Sequence, residues 1–245
     1  MLRLAVVVPT YNEVNNIQKL LDAIAETVKA SADVDTTVFV VDDSSPDGTA
    51  DLVAQRAPGW EAEHFHVVPL VKPTKNGLGA AYIWAFEQLL PQGFDYFLQM
   101  DADLSHDPKY IAGFIHQAKL GTDLVVASRY IPGGGTPDWG VDRRFLSRGG
   151  NIYTRLMLSR RISDYTGGFN MFSAALLKRV DVRTIKATGY GFIIVLKYRA
   201  LREARSLTEL PIVFLDRTHG SSKIPRNTLM ANFFLVLRMR LGRDR

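Results

Sequence analysis

Five short apolar runs in the first 127 residues alternate with stretches whose apolar residues recur at helical spacing. The runs lie at 4–8, 37–41, 66–71, 96–100 and 124–127, and the helical stretches lie at 14–30, 47–56, 78–90 and 108–119. Runs that are apolar throughout suit strands covered on both faces. The alternation therefore predicts an α/β fold with a mostly parallel central sheet and helices on both faces. Asp47 and Asp107 are candidate helix N-caps, and Pro108 suits a first helical position.

The pattern changes after residue 128. Residues 130–140 (YIPGGGTPDWG) read as a loop rich in glycine and proline. Beyond it we predict helices at 145–162 and 189–205, a strand at 207–214 and a closing amphipathic helix at 229–241. Because the chain contains no internal repeat, low-complexity tract or linker, we predict one domain over residues 1–245.

Charge is divided unevenly along the chain, although the net charge is only +5. Residues 1–141 carry 9 Lys and Arg against 18 Asp and Glu, whereas residues 142–245 carry 21 against 7. The basic half could face a nucleic acid, an anionic membrane surface or a phosphorylated substrate, and charge alone leaves these open. The absence of cysteine excludes disulfides, thiolate metal sites and a cysteine nucleophile.

Polar clusters follow three of the predicted strands, at 9–13 (PTYNE), 42–49 (DDSSPDGT) and 101–106 (DADLSH). Ligands of open α/β sheets bind outside the carboxyl ends of the strands, so we expect these clusters to meet at one edge. Asp42 and Asp43 could equally serve as turn residues, because turns favour Asp, Ser, Pro and Gly.

Asp101 and Asp103 are two positions apart and so point to the same side of an extended chain. Together with the Ser105 hydroxyl they suit Mg²⁺ or Mn²⁺, which prefer oxygen ligands. The P-loop and dinucleotide-binding glycine signatures do not occur, and the five histidines are scattered. The sequence therefore favours a carboxylate-held metal with a diphosphate over a kinase-type or zinc site.

Eight motifs occur in one order: PTYNE (9–13), VDDSSPDGT (41–49), KNGLGAAY (75–82), DADLSHDP (101–108), SRY (128–130), RRFLSRGGN (143–151), DYTGGF (164–169) and RTHGSSK (217–223). In this order and spacing the chain resembles the family 2 glycosyltransferases, and among them the polyprenol-phosphate (dolichol-phosphate) mannosyltransferases. The resemblance covers nearly all of residues 3–225. It implies a GT-A-like, Rossmann-like fold.

The resemblance also implies roles for individual residues. A nucleotide-sugar pocket would be lined by Pro9, Tyr11, Glu13, Val41, Asp43, Lys75, Asp101, Ala102 and Asp103. The metal would be held by Asp101, Asp103 and Ser105, with Asp103 as the main ligand and Ser105 at a position where the family usually has Gln. Acceptor phosphate would contact Arg129, Arg143, Ser147 and Arg217. Catalysis would depend on Asp101, Asp103, Arg129, Arg217 and Lys223.

By this resemblance we expect metal-dependent, inverting transfer of mannose from GDP-mannose to a polyprenyl phosphate. A phosphate monoester is already ionised near neutral pH and needs no general base. Alternatives are a different donor, such as UDP-glucose, with a lipid phosphate or glycan acceptor, and a nucleotide-sugar binder without turnover. Nucleic-acid binding is disfavoured, because the basic half lacks the stacking aromatics and modules of such proteins.

Two segments suggest contact with lipid. The basic segment 143–162, which holds six arginines between 143 and 161, and the closing helix 229–241 could lie in a membrane interface. We therefore expect a cytoplasmic protein that contacts the cytosolic face of a membrane peripherally or through an anchoring partner. Gly167, Ile193 and Val195 replace the Ser, Gln and Glu usual in the family, so the acceptor side is expected to differ.

Overall fold

The computed structural model describes residues 1–187, 189–216 and 226–242. Within them a seven-stranded sheet has the order β3-β2-β1-β4-β6-β5-β7. The strands are β1 Leu2–Thr10, β2 Val34–Asp42, β3 Phe65–Val71, β4 Tyr96–Gln99, β5 Leu124–Ser128, β6 Asn170–Ser173 and β7 Leu207–Pro211. The helices are α1 Ile17–Val28, α2 Thr49–Arg56, α3 Leu78–Leu89, α4 Ile111–Lys119, α5 Val141–Met157, α6 Ala174–Val180, α7 Gly189–Glu203 and α8 Arg226–Arg240.

Two layers of buried side chains cover the sheet, one on each face. Along β1, Ala5 and Val7 point into one layer, whereas Leu4, Val6 and Val8 point into the other. The first layer is completed by α3, α6 and α7, and the second by α1 and α4. This arrangement confirms the predicted sheet with helices on both faces and explains why the strand sequences are apolar throughout.

Most predicted elements are confirmed, but β6 and α6 were not anticipated. β6 runs antiparallel to both β4 and β5, while every other neighbouring pair of the sheet is parallel. It has only four residues and begins and ends with polar side chains, so the apolar pattern that marks the other strands is too short to identify it.

Several boundaries differ from the sequence prediction: the strand predicted at 207–214 ends at Pro211, and the closing helix predicted at 229–241 begins at Arg226 and ends at Arg240. The helix expected at 145–162 is α5, which begins after Gly140 and ends at Met157. Gly48, in the left-handed region at φ 82°, is the N-cap of α2, so the prediction for Asp47 was wrong. The Asp47 carboxylate instead accepts hydrogen bonds from the backbone N–H and hydroxyl of Thr49. Asp107 does cap the short 3₁₀ turn that starts at Pro108.

α8 packs against α5 and α7 at the outside of the sheet. The ring of Tyr153 stacks on Phe233 with centroids 4.6 Å apart, and its hydroxyl donates to the Phe233 carbonyl at 3.1 Å. No helix in the residues that the structure describes combines the length and apolarity needed to cross a bilayer. The contact between α5 and α8 closes one side of the cavity described below.

Candidate active site

The loops after β1, β2 and β4 form the carboxyl edge of the sheet, as the sequence predicts. Each loop contains one residue other than glycine in the left-handed region, namely Asn12 at φ 60°, Ser44 at φ 61° and Leu104 at φ 64°. Such a conformation is uncommon, and for a bulky residue it costs of order 1–3 kcal/mol. The surrounding hydrogen bonds must therefore hold these loops in shape.

Hydrogen bonds join the first two loops. The backbone N–H of Asn12 donates to Ser45 Oγ at 3.0 Å, and that of Glu13 donates to Thr49 Oγ1 at 3.0 Å. Pro9 and Val41 are neighbours in the register of the parallel pair. The exposed Tyr11 lies beside Lys75, whose Nζ is 3.3 Å from the ring centroid. The residues of the predicted nucleotide pocket thus surround one rim, and nucleotide binding there remains a prediction.

Asp43 fixes the loop that follows β3. Its carboxylate accepts hydrogen bonds from Lys72 Nζ at 2.9 Å and from the backbone N–H of Gly77 at 2.8 Å and Asn76 at 3.2 Å. Burial raises the pKa of Asp43, but these donors outweigh burial and hold the pKa below its ordinary value. Asp43 is therefore ionised at neutral pH and shapes the rim on which Lys75 lies.

Asp101 and Asp103 lie at the end of β4, around a buried serine and histidine. The Ser105 hydroxyl donates to Asp103 Oδ1 at 2.5 Å, and its backbone N–H donates to the same oxygen at 3.1 Å. The backbone N–H of Asp101 donates to His106 Nδ1 at 3.0 Å, and the His106 ring stacks on Phe169. Burial lowers the pKa of His106 despite the nearby carboxylates, so the ring is neutral and rigidly held.

This donor set fits a hard divalent cation. Within the described ranges no group of three or more His, Cys, Asp or Glu side chains is arranged to hold a metal. Mg²⁺ and Mn²⁺ commonly take one or two protein carboxylates and fill their remaining positions with water and substrate phosphate. Asp101 and Asp103 are such a pair, and Ser105 orients Asp103 through its hydroxyl. Direct metal ligation by Ser105 remains a prediction.

Arg129 is held by a buried carboxylate. Its Nε donates to Asp164 Oδ2 at 2.7 Å and its Nη2 donates to Asp164 Oδ1 at 2.8 Å and to Thr166 Oγ1 at 2.8 Å. Burial raises the pKa of Asp164, but the adjacent guanidinium reverses this effect and holds the pKa well below its ordinary value. Arg129 is thus fixed in one orientation by a permanently ionised partner.

Arg143 and Ser147 come from α5, and the guanidinium groups of Arg143 and Arg129 both contact the Trp139 ring. The Arg143 guanidinium lies 4.0 Å from the Trp139 ring centroid, and its Nη1 is 2.9 Å from Asp216 Oδ1. The hydroxyl of Ser147 is 2.7 Å from that of Tyr130. Arg217, predicted to contact the acceptor phosphate, and Lys223, predicted to take part in catalysis, lie outside the described residues.

A cavity of about 470 Å³ connects these groups. Its polar end is lined by Asp101, His106, Arg129, Arg143, Ser147 and Thr166. Its other end lies between α5, α7 and α8 and is lined by Leu146, Tyr153, Ile193, Ile194, Phe233 and Val236. Asp101, one of the predicted metal ligands, therefore shares one space with the predicted acceptor residues Arg129, Arg143 and Ser147 and with an apolar wall.

Sequence reasoning missed Trp139, Asp164 and Lys197 as parts of this site. Asp164 opens one of the motifs noted above, yet its partner Arg129 lies 35 residues away along the chain. Lys197 lies in α7, which reads as an ordinary apolar helix, and its ammonium group donates to the Asp164 carbonyl at 2.8 Å. Local spacing does not identify these contacts, since they join residues more than 30 positions apart along the chain.

The strand order and the carboxylates at the carboxyl edge, beside a cavity lined by arginines, define a GT-A-like glycosyltransferase fold. Glucosyl-3-phosphoglycerate synthase from Mycobacterium tuberculosis has the same fold, with a TM-score of 0.65 at 20% identity over 98% of this chain and 80% of that one. Mannosyl-3-phosphoglycerate synthase from Rubrobacter xylanophilus gives 0.61 at 18% identity over 99% and 73%. The chain belongs to glycosyl transferase family 2, whose model matches residues 5–181.

Two curated relatives are similar across nearly their whole length. An undecaprenyl-phosphate mannosyltransferase from Micrococcus luteus is 37% identical over 223 residues, which cover 91% of this chain and 88% of the relative. A polyprenol monophosphomannose synthase from Mycolicibacterium smegmatis is 34% identical over 247 residues, with coverage of 99% and 90%. The protein is therefore a glycosyltransferase similar to the polyprenyl-phosphate mannosyltransferases.

Proposed function

We propose that the protein transfers mannose from GDP-mannose to a polyprenyl phosphate, with inversion at the anomeric carbon. The observation that carries this proposal is the cavity, which is lined by Arg129, Arg143 and the Asp101 carboxylate at one end and by an apolar wall at the other. An acceptor that joins a phosphate to a long hydrocarbon has the same two-part character. Both curated relatives are named for mannose transfer to such lipids.

The apolar wall favours a lipid over a small polar acceptor. The solved neighbour from Mycobacterium tuberculosis was crystallised with phosphoglyceric acid, which has no apolar part. In this chain, Ile193 and Ile194 line the cavity, although the family usually has Gln at the position of Ile193. Isoleucine in place of Gln extends the apolar wall of the cavity. Burial of apolar lipid surface against this wall would stabilise binding by about 25 cal/mol per Å².

The residues of the chain support direct displacement by the acceptor phosphate. The second pKa of a phosphate monoester is about 6, so at neutral pH the nucleophile arrives ionised. Arg129, fixed by Asp164, and Arg143 would orient the phosphate through charge-assisted hydrogen bonds. No covalent enzyme intermediate is needed, because the attacking oxygen belongs to the acceptor.

Asp101 and Asp103 would hold Mg²⁺ or Mn²⁺, with Ser105 keeping Asp103 in place. A bound divalent cation supplies charge stabilisation for the departing diphosphate. The buried side of this site is closed by His106 and Phe169, which exclude water behind the carboxylates. The carboxylates, the rim around Tyr11 and Lys75, and the arginines together account for the donor and the acceptor phosphates of the proposed reaction.

The outer surface of α5 suits an anionic membrane surface on the cytosolic side. Val141 and Phe145 are 73% and 83% exposed, and Ile152 and Leu156 continue the same stripe. Arginines flank the stripe, and each adds about 1 kcal/mol of attraction near an anionic leaflet. The cavity lies between this helix and α8, so a prenyl chain could enter it from the bilayer.

The test is sugar transfer from a panel of radiolabelled nucleotide sugars to farnesyl phosphate, with Mn²⁺, with Mg²⁺ and with a chelator. We expect metal-dependent transfer from GDP-mannose, and a product of inverted configuration by NMR. Asp103→Asn should lower the rate by about 10²–10³, the usual cost of losing one such stabilising group. Asp51→Asn, at an exposed position in α2, is the matched control. Transfer from another donor, or full activity of Asp103→Asn in chelator, would contradict the proposal.

A further inference from the structure

Lys197 is a fully buried lysine whose ammonium group lies behind the phosphate-binding arginine. It belongs to α7, and none of its surface is exposed. Its Nζ donates to the main-chain carbonyl of Asp164 at 2.8 Å, and the carboxylate of Asp164 holds Arg129. Arg129 lines the cavity. A buried lysine is uncommon because removing its charge from water is costly, so this position requires a reason.

The charged groups around Lys197 come from several elements. Asp164 and Glu209, the latter in β7, favour its charged form, and Arg129 opposes it. His106, in the loop after β4, is held neutral and is affected in turn by the charge of Lys197. Burial is the largest effect and lowers the pKa of Lys197 to about 7. The positive charge of Arg129 and the negative charge of Asp164 sum to zero. The protonation state of Lys197 therefore decides whether Arg129, Asp164 and Lys197 together carry no net charge or one positive charge.

We propose that Lys197 is a positioning residue that holds Asp164 and, when protonated, gives the Arg129–Asp164 pair the net positive charge that binds a phosphate dianion. The inference rests on the proposed acceptor, since an anion must occupy the polar end of the cavity. An anion beside Arg129 stabilises the ammonium form of Lys197. By linkage, the ammonium form strengthens anion binding by the same factor.

The direction of the pH effect follows from this linkage. Below about pH 7 Lys197 is protonated and affinity for the phosphate is highest, and affinity falls as pH rises through 7 and the ammonium loses its proton. We expect a loss of about tenfold between pH 6.5 and pH 9, which corresponds to a shift of about one unit in the pKa of Lys197 on binding. The acceptor phosphate is mostly a dianion throughout this range, so its own titration contributes little.

The experiment measures the affinity of farnesyl phosphate for the full chain by calorimetry from pH 6.5 to pH 9. Lys197→Met removes the charge and keeps an unbranched apolar side chain, whereas Lys197→Arg keeps the charge at every pH. Both should show pH-independent affinity, weak for Lys197→Met and tight for Lys197→Arg. Lys178→Met makes the same chemical change at an exposed position and should behave as the wild type.

A second variant leaves Lys197 in place, in case its replacement unfolds the chain. Glu209→Gln removes a charge that favours protonated Lys197, so the fall in affinity should begin at lower pH. A wild-type pH profile in both Lys197→Met and Glu209→Gln, or no binding of farnesyl phosphate at any pH, would overturn the inference. If binding depends on pH and requires Lys197 but no sugar is transferred, the inference about Lys197 is supported and only the proposed function is contradicted.

Discussion

Replacing Asp164 with asparagine changes the charge of the most connected buried carboxylate in the site and almost nothing of its shape. The wild-type carboxylate accepts hydrogen bonds from Nε and Nη2 of Arg129 and from the backbone N–H groups of Arg129, Thr166 and Gly167. The asparagine side chain has only one acceptor oxygen. Its NH₂ group would face N–H groups that are themselves hydrogen-bond donors. The Arg129 guanidinium would remain buried without its counter-ion.

The expected loss of stability is about 3–5 kcal/mol, because breaking a buried ion pair leaves an uncompensated charge in the interior. In a chain of 245 residues, each kcal/mol corresponds to about 2–4 °C in Tm, so Tm should fall by roughly 6–20 °C. The pH dependence should change as well. The depressed pKa of Asp164 contributes stability above the unfolded pKa of about 3.9, and this contribution is lost as pH falls through the folded value. Asp164→Asn should therefore lose less stability on acidification than the wild type.

Urea unfolding followed by circular dichroism at several pH values measures both effects. Asp51→Asn, at an exposed position, should lose less than about 1 kcal/mol. Adding Arg129→Met to Asp164→Asn should cost less than the two single changes combined, because it removes the uncompensated charge. A loss from Asp164→Asn no larger than that of Asp51→Asn, or strict additivity in the double variant, would show that the pair does not stabilise the fold as argued.

Two further predictions concern the metal and the membrane. Ser105→Ala removes the hydroxyl that donates to Asp103, so Mn²⁺ affinity should fall by about 10–100-fold while activity recovers at high Mn²⁺; an unchanged Mn²⁺ titration would count against this. Phe145→Glu and deletion of residues 229–245 should each reduce sedimentation with anionic vesicles, whereas Leu120→Glu, also on the surface, should not. Unchanged sedimentation of either variant would remove that segment from the proposed membrane contact.

Periodic patterns explain which parts of the fold could be predicted. A strand covered on both faces must be apolar throughout, and five such runs were found where the structure has β1 to β5. Polar clusters after three of these runs had to meet, since the carboxyl ends of parallel strands share one edge. β6 was not predicted because its four residues begin and end with polar side chains and show no recognisable periodicity.

Contacts between distant segments explain what could not be predicted. Arg129 follows β5, Asp164 lies in the turn before β6, and Lys197 belongs to α7. Each side chain has an ordinary interpretation where it stands in the sequence: a basic loop residue, a turn-forming aspartate, and a lysine in a helix. Their joint role follows only from the fold, which buries all three and makes each one depend on the charge of the others.

The division of charge along the chain acquires a physical meaning in this fold. The acidic first half supplies Asp43, Asp101 and Asp103 at the carboxyl edge, where a bare diphosphate would be repelled and a divalent cation would reverse the local charge. The basic second half supplies Arg143 and Lys197, and Asp164, the one buried aspartate among the described residues of that half, orients Arg129. The proposed reaction must bring two phosphate-bearing substrates together at one carbon. In the proposed reaction, a metal would bind the donor diphosphate and the arginines would bind the acceptor phosphate. Each anion would then be next to its own positive charge, which offsets the repulsion between the two anions at the carbon where the sugar is transferred.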